Sequence, residues 1–148
     1  MINIDGLCEP VNPGGIATYG YVIRHAEGPL IARKAGFIGK GPQMSNNVAE
    51  YAALCEALDL LVRRDMADQV IDVRSDSKLV INQMQGKWKF RQGLYEQKYL
   101  AAKHLASKFT RLSFHWVPRE QNEEADLLTR EAYELATKPL RRSSTSLS

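Results

Sequence analysis

The first forty residues carry short apolar stretches of strand type, and the spacing turns helical immediately afterwards. Residues 2–4 form a short apolar stretch ending at Asp5-Gly6. The β-branched and aromatic run 16–23 follows Gly14 and Gly15, and a second run, 30–38, follows Gly28-Pro29. Bounded by these turn residues, the three stretches predict a meander of antiparallel strands. From Asn47 to Arg64 the apolar positions Val48, Tyr51, Ala52, Leu54, Cys55, Leu58, Leu61 and Val62 recur at helical spacing. This predicts a long helix, with Asn47 and Glu50 spaced as a capping box. Residues 70–73 read as a buried-type strand, 77–84 as a short helix and 93–109 as a longer basic one. Residues 112–117 read as the last strand and 122–137 as the last helix. The order βββαβααβα predicts an α/β domain with a mixed sheet flanked by helices.

With 148 residues, 44% apolar and 25% charged, the chain is one domain's worth of sequence and excludes a multidomain machine. Residues 1–137 read as that domain. Residues 138–148 read as a basic, Ser/Thr-rich tail too poor in apolar side chains to fold. The net charge of +3 equals the tail's Lys138, Arg141 and Arg142, so the body is neutral. That neutrality conceals two patches. Residues 87–111 hold seven basic residues (Lys87, Lys89, Arg91, Lys98, Lys103, Lys108, Arg111) against Glu96, and residues 120–134 hold six acids against Arg130. Cys8 and Cys55 are too few for a disulfide framework and lack zinc-site spacing. No apolar run approaches the roughly 20 residues that span a bilayer, and Asp5 interrupts any leader. A soluble, cytoplasmic, membrane-free protein is expected.

Four acids sit where strands end or helices begin: Asp5 after the first strand, Glu50 in the first turn of the long helix, Asp76 after the fourth strand, and Asp126 near the start of the last helix. Taken singly, each is explained by turn or cap chemistry. Together, strand ends and helix starts on one sheet edge bring them into proximity. Unscreened carboxylates then repel by about 4 kcal/mol per pair at about 4 Å and an effective dielectric of about 20. Divalent cations relieve this, and oxygen ligands select Mg²⁺ or Mn²⁺. Two such ions suit displacement at a phosphodiester.

Asp5-Gly6 with Asn12-Pro13-Gly14-Gly15, then Ser45-Asn46-Asn47-Val48-Ala49-Glu50-Tyr51, then Ser75-Asp76-Ser77 with Gln83, Gly86 and Trp88, and finally Trp116-Val117-Pro118 with Asn122, Ala125 and Asp126, resemble type 1 ribonuclease H in its compact archaeal and bacterial form. The likeness runs in family order from about residue 2 to residue 136. It implies an RNase H-like fold: a five-stranded sheet of three antiparallel strands followed by parallel ones. It implies an endoribonuclease that hydrolyses the RNA strand of RNA/DNA hybrids by two-metal-ion catalysis, giving 5′-phosphate and 3′-hydroxyl ends. Asp5, Glu50, Asp76 and Asp126 would be the catalytic ligands of two Mg²⁺ ions, with Glu50 also near the ribose 2′-OH. Mn²⁺ as a substitute and double-stranded RNA as a second substrate stay open, and a monomer is expected. With no spare residues before Asp5, a separate hybrid-binding domain is not expected.

The same resemblance assigns Asn12, Asn46, Asn47 and Gln83 to the minor groove, Ser45 to a DNA phosphate pocket, where relatives usually have Thr, and Trp88 among its basic neighbours to the DNA strand. Turn and cap chemistry is the competing explanation for the asparagines, and core packing for Trp88. The basic segment 86–93 is short, which shifts hybrid affinity toward Lys98, Lys103 and Lys108. Many relatives carry a His in the loop after the last strand. Here Arg119 stands nearest; permanently charged, it suits a phosphate but not a general base. Two rival functions share the carboxylates: a catalytically silent hybrid-binding module, disfavoured because all four acids are present, and a resolvase- or integrase-like nuclease, disfavoured by the Asn46-Asn47 and Asn12-Pro13-Gly14-Gly15 runs.

Overall fold

Glycine-bounded apolar runs become strands and the helically spaced ones become helices in the computed structural model, which describes residues 1–26 and 28–138. The elements are β1 (Ile2–Glu9), β2 (Ile16–Arg24), β3 (Leu30–Lys40), α1 (Asn46–Arg63), β4 (Val70–Ser75), α2 (Lys78–Met84), α3 (Glu96–Ala106), β5 (Arg111–Trp116) and α4 (Glu123–Thr137), with a 3₁₀ turn at Arg119–Gln121 before α4. They build one five-stranded sheet in the order β3-β2-β1-β4-β5. β1, β2 and β3 pair antiparallel, while β4 joins β1 and β5 in parallel, so the sheet is mixed as expected. Among the described residues no helix is long and apolar enough to cross a membrane. Beyond Lys138, the segment read as a tail lies outside the described residues.

Successive side chains of β1 point to opposite faces. Ile2 and Ile4 join the main core with Leu54, Leu58 and Leu61 of α1, all fully buried. Burying each such side chain contributes about 1.5–3 kcal/mol. The next position on that face is Gly6, where a Cβ would lie 2.3 Å from the Glu50 backbone nitrogen and 2.7 Å from Ala49 Cβ. The missing side chain is what lets α1 cross so close to β1. On the other face Asp5 pairs across the ladder with Gly20, whose Cβ would meet Ala125 O and Leu128 Cβ at 2.8 Å. α4 therefore covers that face, pinned by Thr18 Oγ1 donating to Thr129 O at 2.9 Å.

Three local expectations change. The first strand does not end at Asp5-Gly6 but continues to Glu9, because β2 supplies a full antiparallel ladder beyond the apolar stretch. The long helix is capped not by an Asn47/Glu50 box but by Ser45, whose Oγ accepts from Val48 N at 3.1 Å. The basic helix is also shorter than 93–109, with Ala102 its one fully buried residue.

Gly6→Ala forces α1 away from β1 and is expected to destabilise the protein by about 3 kcal/mol or more. A urea unfolding midpoint indistinguishable from the parent's would show that α1 can retreat freely.

Candidate functional site

The sheet is split where β1 and β4 part. They pair only through Ile2↔Val73 and Asn3↔Arg74, whereas β1 stays on β2 as far as Glu9. Asp5 lies just past the last shared pair on β1, and Asp76 directly follows the end of β4. Such a divergence at the carboxyl ends of parallel strands is where open α/β sheets bind ligands. α1, admitted by Gly6, brings Glu50 into the split, and carboxylate oxygens of Asp5, Glu50 and Asp76 lie within 4.8 Å of one another. They line a cavity of about 320 Å³ with Asn46, Asn47, Arg119, Asp126 and Arg130. Asp126 is on the wall beside Asp5, outside the three-oxygen set, with its Oδ2 accepting from Arg130 Nε at 3.4 Å.

Backbone ties hold these carriers in place. Asn122, fully buried at the start of α4, donates to Ile4 O at 2.8 Å and accepts from Asn3 Nδ2 at 3.0 Å, fastening the helix that carries Asp126 to the strand that carries Asp5. Trp116 Nε1 donates to Asp76 O at 3.0 Å, and Lys78 Nζ sits 5.1 Å from the Trp116 ring centroid. Asn46 Oδ1 accepts from Cys8 N at 2.8 Å, and Asn12 Oδ1 accepts from Asn46 N at 2.9 Å. The oxygens of both asparagines are thus committed to backbone, and their amide NH₂ groups are what remains for a ligand.

Gln83 does not belong with them. It is 2% exposed, its Oε1 accepts from Tyr51 Oη at 2.7 Å, and its Nε2 donates to Tyr95 Oη at 3.0 Å, so the minor-groove role expected of it is corrected to a core one. Trp88 is 47% exposed beside exposed Lys87, Lys89 and Arg91, not core, and does not line the cavity. Arg119 does line it and draws down the Asp76 carboxyl. Arg130 and Glu9, both on the cavity wall, are residues that sequence reasoning did not select. In the sequence Arg130 is only the base of an acidic run, though its i,i+4 spacing from Asp126 is visible there.

Burial dominates the electrostatics. It pushes Asp5 up to about 7, with Asp76 and Asp126 raising it further and Glu50 beside it offsetting part of the rise. Burial, then Asp5, raises Glu50 well above the usual carboxylate range. Asp76 is raised by burial as well, against its own backbone hydrogen bond and Arg119. Glu50 Oε2 is buried without a hydrogen-bond partner. Orphaned buried oxygen is costly, and hard carboxylate donors this close suit a hard divalent cation. The residues therefore fit a metal.

The family described as reverse transcriptase-like matches residues 3–132. The bifunctional protein Rv2228c of Mycobacterium tuberculosis is 39% identical over 126 residues, 84% of this chain and 33% of that protein. A ribonuclease HI of Halobacterium salinarum is 36% identical over 121 residues, covering 82% of this chain and 58% of its own length. The chain thus spans about a third of the mycobacterial relative and rather more than half of the halobacterial one. The solved structure of LC11-RNase H1 in complex with an RNA/DNA hybrid superimposes with a TM-score of 0.81 at 35% identity, covering 91% of this chain and 96% of that one.

A carboxyl whose folded pKa is raised binds its proton more tightly in the folded state. Its stability penalty therefore grows as pH rises from about 4, the unfolded value, and is complete above the folded value of about 7. Metal-free protein should lose stability over that window. Asp5→Asn should be nearly neutral at pH 4 and raise the melting temperature by on the order of 5 °C at pH 8. Equal melting temperatures at pH 8 would contradict the raised Asp5.

Proposed function

The chain belongs to the type 1 ribonuclease H family, and from that membership we propose that it is an endoribonuclease hydrolysing the RNA strand of RNA/DNA hybrids, leaving 5′-phosphate and 3′-hydroxyl ends. The observation that carries the proposal is the set of Asp5, Glu50 and Asp76 oxygens within 4.8 Å, one belonging to a residue whose other role in the fold would be unexplained. Asp5, Glu50, Asp76 and Asp126 are the proposed ligands of two Mg²⁺ ions, for which Mn²⁺ is the chemically nearest substitute. When bound, such ions supply a nucleophilic water at neutral pH and stabilise charge on the departing 3′ oxygen.

The chain's own residues do the rest. Burial raises both Asp5 and Glu50, and a carboxyl must be ionised to act as a ligand, so loading is favoured as pH rises. Glu50, buried at the floor, is proposed to meet the ribose 2′-OH, the group that separates RNA from DNA. Amide groups of Asn46 and Asn47, which line the cavity, and of Asn12, bonded to the Asn46 backbone, are proposed to donate to base edges and sugar in the minor groove. The Ser45 hydroxyl, its oxygen used by the helix cap, still has a proton to offer a DNA phosphate. Trp88 with Lys87, Lys89 and Arg91 offers a stacking face and cations to the DNA strand. Arg119, near Asp76, is proposed to hold a phosphate of the cleaved strand. We assign the protein to the reducing cytoplasm as a monomer, consistent with free Cys8 and Cys55.

End-labelled hybrid, duplex DNA and duplex RNA incubated with Mg²⁺ test the assignment. Hybrid should be cut in its RNA strand, and Asp76→Asn should abolish cutting by at least about a thousandfold. Tight binding of hybrid without cleavage, or cleavage of duplex DNA, would overturn it; the duplex RNA lane decides whether the specificity extends that far. Arg119→Ala should lower turnover about tenfold at saturating Mg²⁺, and unchanged turnover would remove Arg119 from the site.

A further inference from the structure

Outside the pocket the paired arginines hold a carboxylate at short range, apart from Arg33, 3.7 Å from Glu124. Arg24 meets Glu124 at 2.9 Å, Arg63 meets Asp59 at 2.9 Å, and Arg74 meets Asp72 at 2.9 Å. Arg130 is different. Its Nε donates a long hydrogen bond to Asp126 Oδ2 at 3.4 Å and its Nη1 is 3.9 Å from Glu9 Oε2, so it is shared unequally between two carboxylates and tightly paired with neither. Strong charge-assisted pairs lie near 2.7–2.9 Å, and a half-exposed arginine at these longer distances is held loosely. All three residues line the carboxylate cavity: Asp126 and Arg130 one turn apart on α4, Glu9 at the far end of β1.

We propose that Arg130 is a positioning residue for the cation site, a built-in counter-ion that steadies Asp126 while no divalent ion is bound and shifts toward Glu9 when one binds. The proposal rests on the reading of Asp126 as a metal ligand. Asp126 lies beside Asp5 in a pocket already crowded with carboxylates, and a neighbouring positive charge offsets that repulsion. A guanidinium cannot give up its proton at any working pH, so it can leave the carboxylate only by moving. Glu9 provides the place to move to. Two consequences follow: the position served by Asp126 is the weaker of the cation positions, because filling it displaces a resident charge, and Glu9 affects that position through Arg130 without being a ligand.

Calorimetric titration of Mn²⁺ into the nucleic-acid-free protein reads this directly. Arg130→Met should tighten the weaker Mn²⁺ binding by about three- to tenfold, and Arg130→Lys, which keeps the charge, should stay within about twofold of the parent. Glu9→Gln should weaken Mn²⁺ binding in the parent, and by clearly less in the Arg130→Met background. A purely structural Arg130 would instead lower the melting temperature and leave Mn²⁺ affinity unmoved or weakened, and that outcome overturns the proposal. So does a Glu9→Gln effect of equal size in both backgrounds, which would make Glu9 a distant charge only. Should Arg130→Met fail to fold, Arg130→Gln, which also removes the charge, takes its place alone and in the Glu9→Gln background. Failure of the parent to bind Mn²⁺ at all would overturn the metal-site reading itself, a result distinct from Mn²⁺ binding that ignores Arg130.

Discussion

Mutual repulsion among buried carboxylates is the constraint around which the rest of the structure is arranged. Asp5 and Glu50 are both buried, Asp76 is half-buried, and their oxygens lie within 4.8 Å. Nothing in the folding of a sheet and helices favours that arrangement; it raises all three acids and leaves a Glu50 oxygen orphaned. The fold tolerates it because the stabilising burial lies elsewhere, in the α1–sheet core, and because the two arginines at the pocket stand on its wall. An arginine seated among the three oxygens would settle the repulsion permanently. Placed on the wall, Arg119 and Arg130 soften it and leave the centre to a cation.

Backbone devices with no chemistry of their own make the convergence possible. β1 and β4 share only two residue pairs before parting, which opens the sheet between the strands that carry Asp5 and Asp76. Gly6 lets α1 cross at a distance no side chain would allow, and that closeness delivers Glu50. Asn122 ties α4 to Ile4, one residue from Asp5, so the elements carrying Asp5 and Asp126 share one anchor. Asn12 and Asn46 link the β1–β2 loop to the start of α1 through their side-chain oxygens. The residues proposed to contact substrate thus also brace the cavity, a double use available to asparagine because its oxygen and its NH₂ can serve different partners.

All nine regular elements were legible in the chain, because glycine-bounded β-branched runs and a long helical apolar pattern are strong local signals. The convergence of Asp5, Glu50 and Asp76 was legible from their recognisable neighbours, and Asp76 also from its strand end, although Asp5 sits within β1 rather than at its close. Misreadings came where a tertiary contact decides. β1 runs past its apolar stretch because the ladder with β2 carries it on to Glu9, a fact about β2 rather than about residues 6–9. Glu50 and Asn47 have capping-box spacing, yet Ser45 takes the cap and frees Glu50 for the pocket. Gln83 is polar and adjoins a motif, but Tyr51 and Tyr95 enclose it, and a buried glutamine with both ends bonded looks the same in sequence as one facing a ligand. Arg130 was passed over because its partners, Asp126 and Glu9, lie 4 and 121 positions away, and only the fold makes them one group.

The neutral body of the chain now has a physical meaning. Lys87, Lys89, Arg91, Lys103 and Lys108 are exposed and present positive charge to solvent, whereas Arg111 is partly spent on the Asp68 carbonyl at 2.7 Å. The acids of the pocket present the opposite field a short way off. A polyanion is attracted by the first and repelled by the second, so approach and engagement are governed by different ions. Monovalent salt screens the basic stretch and weakens approach. A divalent cation held in the pocket would lower the repelling field and so favour engagement. The arginines on the wall set how much of that lowering the cation must supply: each lowers the repulsion felt by a phosphate, and each competes with the cation for the same carboxylates. A pocket with no arginine would bind metal more tightly and phosphate less readily. Arg119 beside Asp76 and Arg130 beside Asp126 place this protein between those limits, at the two less buried of the four proposed ligand acids.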